Sequence, residues 1–458
     1  MTRIDSCRIV IGSAASYNER RAAAFISKYV RIVTGKNIET VTDDLPPRPP
    51  EIIVGRTSRP ADPSEERSRD RVWERVSFTD GGSLYLTGLG LPPEEEPPYN
   101  TAYRLIDDGC VGTVMAAYSF VEKVLGCDFL NEAYIPFPFD PDVSIPDGWR
   151  DDLTLDRILD EVPDDTECPL FCALGAGSDI MNNRLGSVIK TRGGKLIVID
   201  AGRTGDAEHL LKIIEKLWDG KDGRPVISLW LFSHLHTDHY GAISEIASRP
   251  ELRERLRVER FCHRLLPAEF YTSISREKLS PHAIRALDIM THFDRYFDGC
   301  RVTQVSRGDL FEVDGISFEV IRTPDIVKGA LMNTNDSSVV YRMTAEGQTW
   351  MLLGDAEWVA SGELLALSRD RLKADVVQVG HHGCGNVSKE VYREIGARAA
   401  VWHVSERFFH SESGEALNSH NTGVIRTRAW LRELGIRTEN EYVLSDHIFL
   451  TKLPMEIK

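Results

Sequence analysis

Residues 234–239 read His-Leu-His-Thr-Asp-His, so four side chains able to bind a metal, His234, His236, Asp238 and His239, fall within six positions. Imidazole together with carboxylate suits zinc, and iron or manganese would accept the same donors. Two later segments end in residues of the same kind. Trp350-Met-Leu-Leu353 runs into Gly354-Asp355-Ala-Glu357, and residues 374–380 run into His381-His382-Gly383. For Asp355 alone the plain alternative is a helix N-cap; for Glu357 it is a solvent-facing carboxylate.

Such side chains make a site only if the chain holds them together. Residues 226–232, Val-Ile-Ser-Leu-Trp-Leu-Phe, are β-rich and nearly all apolar, which predicts a strand buried on both faces with the ligands on the loop at its end. A strand pair is expected at 187–191 and 196–200, turning at Gly193-Gly194. Helices are expected at 207–218 and 241–247, and further strands at 317–322, 338–343, 349–353 and 374–380. Residues 250–308 read as a mixed insertion, a candidate lid or dimer contact. Successive strand side chains point to opposite faces, so His381 and His382 can both reach one site only if the backbone turns at Gly383.

The first third of the chain alternates strand-like and helix-like segments: strands at 8–11 and 51–54, a hairpin at 75–78 and 83–87, helices at 17–34 and 112–125. Val114, Ala117, Tyr118, Val121, Val124 and Leu125 recur at helical spacing, and Gly126 would cap that helix. Proline-rich stretches lie at 45–50, 91–98 and 136–146. The expected organisation is a small α/β accessory domain over 1–150, a linker over 151–168 and a second domain over 169–458.

The ligand string, the Gly-Asp-Ala-Glu turn and the His-His-Gly motif resemble those of the metallo-β-lactamase superfamily, over about residues 170–452. With Asn335-Asp-Ser-Ser-Val-Val340 they look most like its phosphodiester-acting branch, which includes the hydrolase domain of bacterial competence proteins and phosphorylcholine esterase. The resemblance implies an α/β fold, an αββα sandwich, with Asp355 bridging two metals. His234, His236 and Asp355 would bind the first, and Asp238, His239, Asp355 and His382 the second. One histidine of the pair ligates in such relatives; His382 is favoured, with His381 orienting it or contacting substrate. Two cations about 3.5–4 Å apart lower the pKa of a shared water towards about 7 and stabilise attacking and leaving oxygens. Asp238 would orient that nucleophile or help move its proton, and His381 or His420 would stabilise the developing anion. The chain departs from the pattern twice. Asn418-Ser-His420-Asn lacks the proline that follows the late histidine in competence-type domains, and residues 321–325, Ile-Arg-Thr-Pro-Asp, offer no third histidine for the first metal. His263, His282 and His292 would have to fold back to supply it. Separately, residues 51–57 and 112–130 resemble the non-catalytic domain that precedes hexosaminidase and α-glucuronidase barrels. That resemblance implies a carbohydrate-related setting and no chemistry of its own.

At 458 residues, with 42% hydrophobic and 27% charged, the chain has room for two or three globular domains. No stretch approaches the roughly 20 apolar residues that span a bilayer, and the first residues lack a signal peptide's apolar core, so a cytoplasmic protein is expected. The eight cysteines lack CxxC pairs and read as reduced thiols. A net charge of −15 argues against wrapping a long polyanion. The expectation is a zinc-dependent hydrolase with two metals per chain, acting on a phosphodiester or a small phosphorylated or sugar-linked substrate; an oligomer is left open. Two alternatives stay open: hydrolysis of a lactone, thioester or β-lactam on the same metals, and glycan binding or scaffolding around a vestigial site.

Overall fold

The computed structural model describes residues 1–59, 75–88, 111–127, 137–152, 154, 159–160, 162, 168–175, 184–220, 223–275, 281–325, 332–405, 409–410, 419–444 and 448–458, with backbone alone at 111, 281, 282, 405 and 419–421. The proline-rich 91–98 and most of 151–168 lie outside them. The chain divides into two compact units, one built mainly from Met1–Ile158 and the other from Asn183–Phe409 and Leu417–Lys458.

In the first unit a capping box starts the long helix. Ser16 Oγ accepts from Glu19 N at 3.1 Å while Glu19 Oε2 accepts from Ser16 N at 2.7 Å, so Tyr17–Thr34 begins there, and Gly35 in the left-handed region ends it. Its apolar stripe, Ile26, Val30 and Val33, shares a core with Ala117, Phe120 and Val121 of Val111–Lys123. Both helices serve a five-stranded sheet in the order Thr40–Thr42, Arg8–Ile11, Glu51–Val54, Ser83–Gly88, Arg75–Asp80. The last two pair antiparallel and the others parallel.

The second unit contains two sheets with one core between them. The first sheet runs Arg301–Gln304, Arg260–His263, Val226–Leu231, Leu196–Asp200, Gly186–Lys190, Leu170–Ala173, Phe449–Lys452, with Arg257–Val258 also pairing on Val226–Leu231. The second runs Leu310–Val313, Ile316–Arg322, Val340–Ala345, Gln348–Leu352, Val376–Gln378, Ala399–Ser405, Glu441–Leu444. Ile189, Ile197, Leu229 and Leu231 from one sheet pack with Phe318, Tyr341, Trp350 and Val401 from the other. The apolar side chains on the inner face of each sheet thus close a sandwich. Helices Ala207–Leu217 and Thr237–Ser248 pack on the first sheet, and Trp358–Leu367 on the second. The result is the expected αββα arrangement. Residues 250–308 are not a separate excursion, because they supply the outer strand Arg260–His263 and the edge strand Arg301–Gln304 of the first sheet.

Both sheets run parallel where it matters. Leu196–Asp200, Val226–Leu231 and Arg260–His263 share one direction, as do Gln348–Leu352, Val376–Gln378 and Ala399–Ser405. Their C-terminal ends are where α/β sheets place ligands. Two bonds tie these ends across the sandwich: Tyr341 Oη donates to Phe232 O at 3.2 Å, and Val339 N to Ser233 O at 3.0 Å.

Candidate metal centre

Strand Val226–Leu231 is buried over most of its length, as its apolar composition requires. The helix that follows begins earlier than its periodicity suggests, at Thr237 with His236 as its N-cap. Asp238 and His239 therefore sit on the first helical turn and not on the loop, and the Asp238 carboxylate lies where the helix dipole favours a negative charge. Gly241 permits this placement. A Cβ there would stand 1.9 Å from Thr204 N and 2.2 Å from Arg203 C, so only glycine lets the helix press on that backbone.

From the second sheet, Gln348–Leu352 leads to Gly354 and Asp355, whose N–H donates to Ser338 Oγ at 3.1 Å. Val376–Gln378 leads to the histidine pair. The backbone turns on the histidines themselves, His381 at φ 46° and His382 at φ 52°, before Gly383 at φ 80°. Left-handed non-glycine residues cost on the order of 1–3 kcal/mol each and persist where the surroundings over-determine them. Here His381 N donates to Gly354 O at 3.0 Å and Cys384 N to His381 O at 2.7 Å. The two imidazoles consequently diverge.

Two ligand groups result. Asp238, His239, Asp355 and His382 present donor atoms all within 4.8 Å of one another, and so do His234, His236 and Asp355. Asp355 belongs to both. Its Oδ1 lies 3.2 Å from His239 Nε2, and its Oδ2 lies 3.4 Å from His382 Nε2 and 3.9 Å from His234 Nε2. Asp238 Oδ2 lies 3.1 Å from His382 Nε2. Exposures of 0% for His234 and His239, 1% for Asp355 and 2% for His382 put these donors out of reach of bulk water. Yet among the described residues His234 Nε2 makes no hydrogen bond, and His239 Nε2 and Asp355 Oδ1, though 3.2 Å apart, make none of good geometry. Buried polar atoms are rarely left so, and a cation among them is the partner that fits a set of two carboxylates and four imidazoles.

The electrostatics agree. Burial opposes charge on Asp355, but His239 and His382 beside it outweigh burial and hold its carboxyl well below the usual range. Burial likewise opposes charge on His382, yet Asp355 and Asp238 push its pKa up to about 9. His239 is raised well above the ordinary value by Asp355 and Asp200 against its burial. Protons thus occupy the place of positive charge in a centre built to hold it. His234 goes the other way: burial, then His239 beside it, push it well below the ordinary imidazole value, so it is a neutral donor.

The other ring nitrogens are fixed. His239 Nδ1 lies 2.9 Å from Asp200 Oδ2, and Asp200 also accepts from Ser233 N at 2.8 Å and Ser233 Oγ at 2.7 Å. His382 Nδ1 donates to His403 O at 2.8 Å. With Nδ1–H committed, both rings present Nε2 as the donor, the arrangement that orients metal-bound histidines. Asp200 was not singled out from the sequence. Its signal was there: one acid closing the apolar strand Leu196-Ile-Val-Ile-Asp200, next to the ligand-bearing strand.

His381 stands in neither ligand group. Its Nδ1 lies 3.0 Å from Glu357 Oε1, and Glu357, 5% exposed, faces the protein interior. Among the three histidines considered for the first group, His263 is buried with Nδ1 accepting from Leu265 N at 3.3 Å, and His292 pairs with Asp288 at 3.0 Å. The side chain of His282 lies outside the described residues. Among the described residues, then, the first group is His234, His236 and Asp355. Tyr240 is 1% exposed and packs in the interior. His420 lies in helix Ser419–Glu433, its side chain outside the described residues. Arg203 Nη2 lies 3.7 Å from Asp238 Oδ2 and neutralises part of the acidic charge.

The model of the metallo-beta-lactamase superfamily matches residues 186–400, a span that contains every ligand named above. A stretch of 135 residues is 30% identical to ComE operon protein 3 of Bacillus subtilis (strain 168), covering 28% of this chain and 17% of that protein. The chain thus spans under a fifth of that relative's length. Among solved structures, the metallo-beta-lactamase fold protein YhfI from Bacillus subtilis is similar over 62% of this chain and 98% of its own, at 12% identity and a TM-score of 0.37. Zn(2+)-bound PqqB from Methylobacterium extorquens is similar over 62% and 100%, at 13% identity and a TM-score of 0.38.

Proposed function

Residues 186–400 form a metallo-beta-lactamase superfamily domain, and from that premise we propose that the chain is a binuclear, zinc-dependent hydrolase of phosphodiesters on small or sugar-linked substrates. The observation that carries the reading is the pair of candidate ligand groups meeting at Asp355, where, among the described residues, the buried His234 Nε2 makes no hydrogen bond. Two divalent cations in such a centre supply an activated water at neutral pH and stabilise charge on the attacking and leaving oxygens. His234, His236 and Asp355 would hold one, and Asp238, His239, Asp355 and His382 the other.

The chain's own groups do the rest. Asp200 and His403 O keep the protons of His239 and His382 on Nδ1. Asp238, which burial disfavours as an anion but Arg203 and His382 hold well below the usual carboxylate range, stays ionised and is proposed to orient the attacking water or help move its proton. His420, on the helix beginning at Ser419, is proposed to steady charge on the substrate. The phosphodiester preference is supported by the likeness of Asn335-Asp-Ser-Ser338, Gly354-Asp-Ala-Glu357 and His381-His382-Gly383 to the phosphodiester-acting branch. A small substrate is supported by the net charge of −15. Among the described residues no helix is long and apolar enough to cross a membrane. Among the described residues no disulfide joins two cysteines, which supports a reducing, cytoplasmic setting.

The test is metal content by elemental analysis together with turnover of bis-nitrophenyl phosphate by wild type and Asp355→Ala. About two metals per chain, and a loss of at least a hundredfold in turnover in the variant, are expected. One metal or none, with no hydrolysis after zinc, manganese or iron is restored, refutes the proposal. Turnover of a lactone or thioester in place of the diester transfers the same site to acyl substrates.

A further inference from the structure

Glu357 receives more hydrogen bonds than a surface acid needs. Its Oε2 accepts from Asn333 Nδ2 at 2.9 Å, and its Oε1 accepts from Asn335 Nδ2 at 2.8 Å, Asn386 Nδ2 at 2.9 Å and His381 Nδ1 at 3.0 Å. The donors come from three separate segments: the stretch before strand Val340–Ala345, the histidine turn, and the residues just beyond it. Glu357 itself is the N-cap of helix Trp358–Leu367, two residues past Asp355. Its carboxylate therefore bridges the two strand ends that deliver Asp355 and His382.

We infer that Glu357 is the positioning residue of the metal centre, holding the left-handed His381-His382 turn so that His382, and not His381, faces Asp355. Three asparagine N–H groups already donate to the Glu357 oxygens, so the carboxylate meets His381 as an acceptor and His381 carries a proton on Nδ1. Its Nε2 then faces Asn335 Nδ2 at 3.3 Å and accepts from it. Both nitrogens of His381 are thereby spoken for, which keeps this imidazole off the cations although it adjoins a ligand. With the His381 ring anchored and its N–H bonded to Gly354 O, the next residue is directed towards Asp355 Oδ2. The inference rests on the reading of this site as a metal centre and is independent of the substrate.

The experiment uses the full chain with 15N-labelled histidine. Wild type and Glu357→Gln are compared by long-range proton–nitrogen spectra for tautomers and by zinc titration against a chromophoric chelator. In wild type, His381 should show a single Nδ1–H tautomer. In Glu357→Gln that tautomer should be lost, and the zinc held by Asp238, His239 and His382 should weaken about 10–100-fold, as when the orienting partner of a ligand is removed. The zinc held by His234 and His236 should change less than threefold. If Glu357→Gln does not fold, His381→Gln removes the same link while leaving Glu357 and its asparagines in place, and the same site should weaken. Wild-type affinity at both sites in the folded variant, or an unchanged His381 tautomer, overturns the inference. A wild type that takes up no zinc overturns the metal reading instead, and the tautomer comparison alone then decides whether Glu357 holds the turn.

Discussion

Asp200→Asn is the most incisive perturbation of this centre, because it changes charge and proton direction with little change of shape. Asp200 lies at φ 52°, in the left-handed region that asparagine tolerates as well as aspartate. It is fully buried and accepts three bonds: Ser233 N and Ser233 Oγ at 2.8 and 2.7 Å, and His239 Nδ1 at 2.9 Å. An amide has one acceptor oxygen and one donor nitrogen. If the nitrogen takes the Oδ1 position, it opposes the Ser233 N–H. If it takes the Oδ2 position, it opposes the His239 Nδ1–H and drives that proton to Nε2, the atom needed for the metal. Losing a hydrogen bond to a charged group costs about 1.5–3 kcal/mol, which at about 1.4 kcal/mol per decade corresponds to about 10–100-fold in zinc affinity. Chelator competition measures that loss, with circular dichroism and thermal melting to show that the fold persists. A folded Asp200→Asn variant that binds zinc within twofold of wild type refutes the claim that Asp200 sets the His239 tautomer.

The centre's own pKa shifts predict how the metal-free protein responds to pH. His382, opposed by burial but raised by Asp355 and Asp238 to about 9, contributes stability that is full below about 6.5 and lost as pH rises through 9. The melting temperature of chelator-treated protein should therefore fall between pH 7 and 10, and that of zinc-loaded protein should not, since metal replaces the proton; parallel curves for the two forms count against this. Gly383→Ala should destabilise the fold by about 2–5 kcal/mol in urea unfolding, combining a left-handed alanine with overpacking. Its Cβ would stand 2.3 Å from Cζ3 of the buried Trp402 at φ 80°. A loss under 1 kcal/mol would show that Trp402 moves freely.

The ligand-bearing strand ends were legible because metal chemistry and strand burial leave opposite marks on adjacent residues. An apolar run such as Trp350-Met-Leu-Leu353 stops abruptly at Gly-Asp, and the contrast locates both the strand and its functional end. The start of the helix Thr237–Ser248 was not legible. Its first turn is Thr-Asp-His-Tyr, where two positions are given to the metal centre, so apolar periodicity appears only from Gly241 onwards. Residues 250–308 misled for a related reason. Their strands Arg260–His263 and Arg301–Gln304 are short, and each pairs with a segment about thirty or forty residues earlier in the chain. Nothing local distinguishes such pairing from a loop insertion.

Glu357 and Asp200 illustrate the remaining gap. Each is a lone acid beside an obvious motif, and its part depends on donors contributed by other segments: three asparagines and a histidine for one, the serine before His234 and the histidine of the next helix for the other. Sequence shows the groups proposed to touch a cation, since those cluster at strand ends. The groups that aim them are scattered, because aiming a side chain requires contact from a different direction. In this fold those directions come from both sheets. His234, His236, Asp238 and His239 belong to one and Asp355 and His382 to the other; the bonds of Asp200 aim the first set from the first sheet's own segments, and those of Glu357 act on the second sheet's side. Each half of the centre is thus aimed from its own side, and the bonds from Tyr341 Oη to Phe232 O and from Val339 N to Ser233 O, which close the sandwich beside Ser233, bring the two halves face to face.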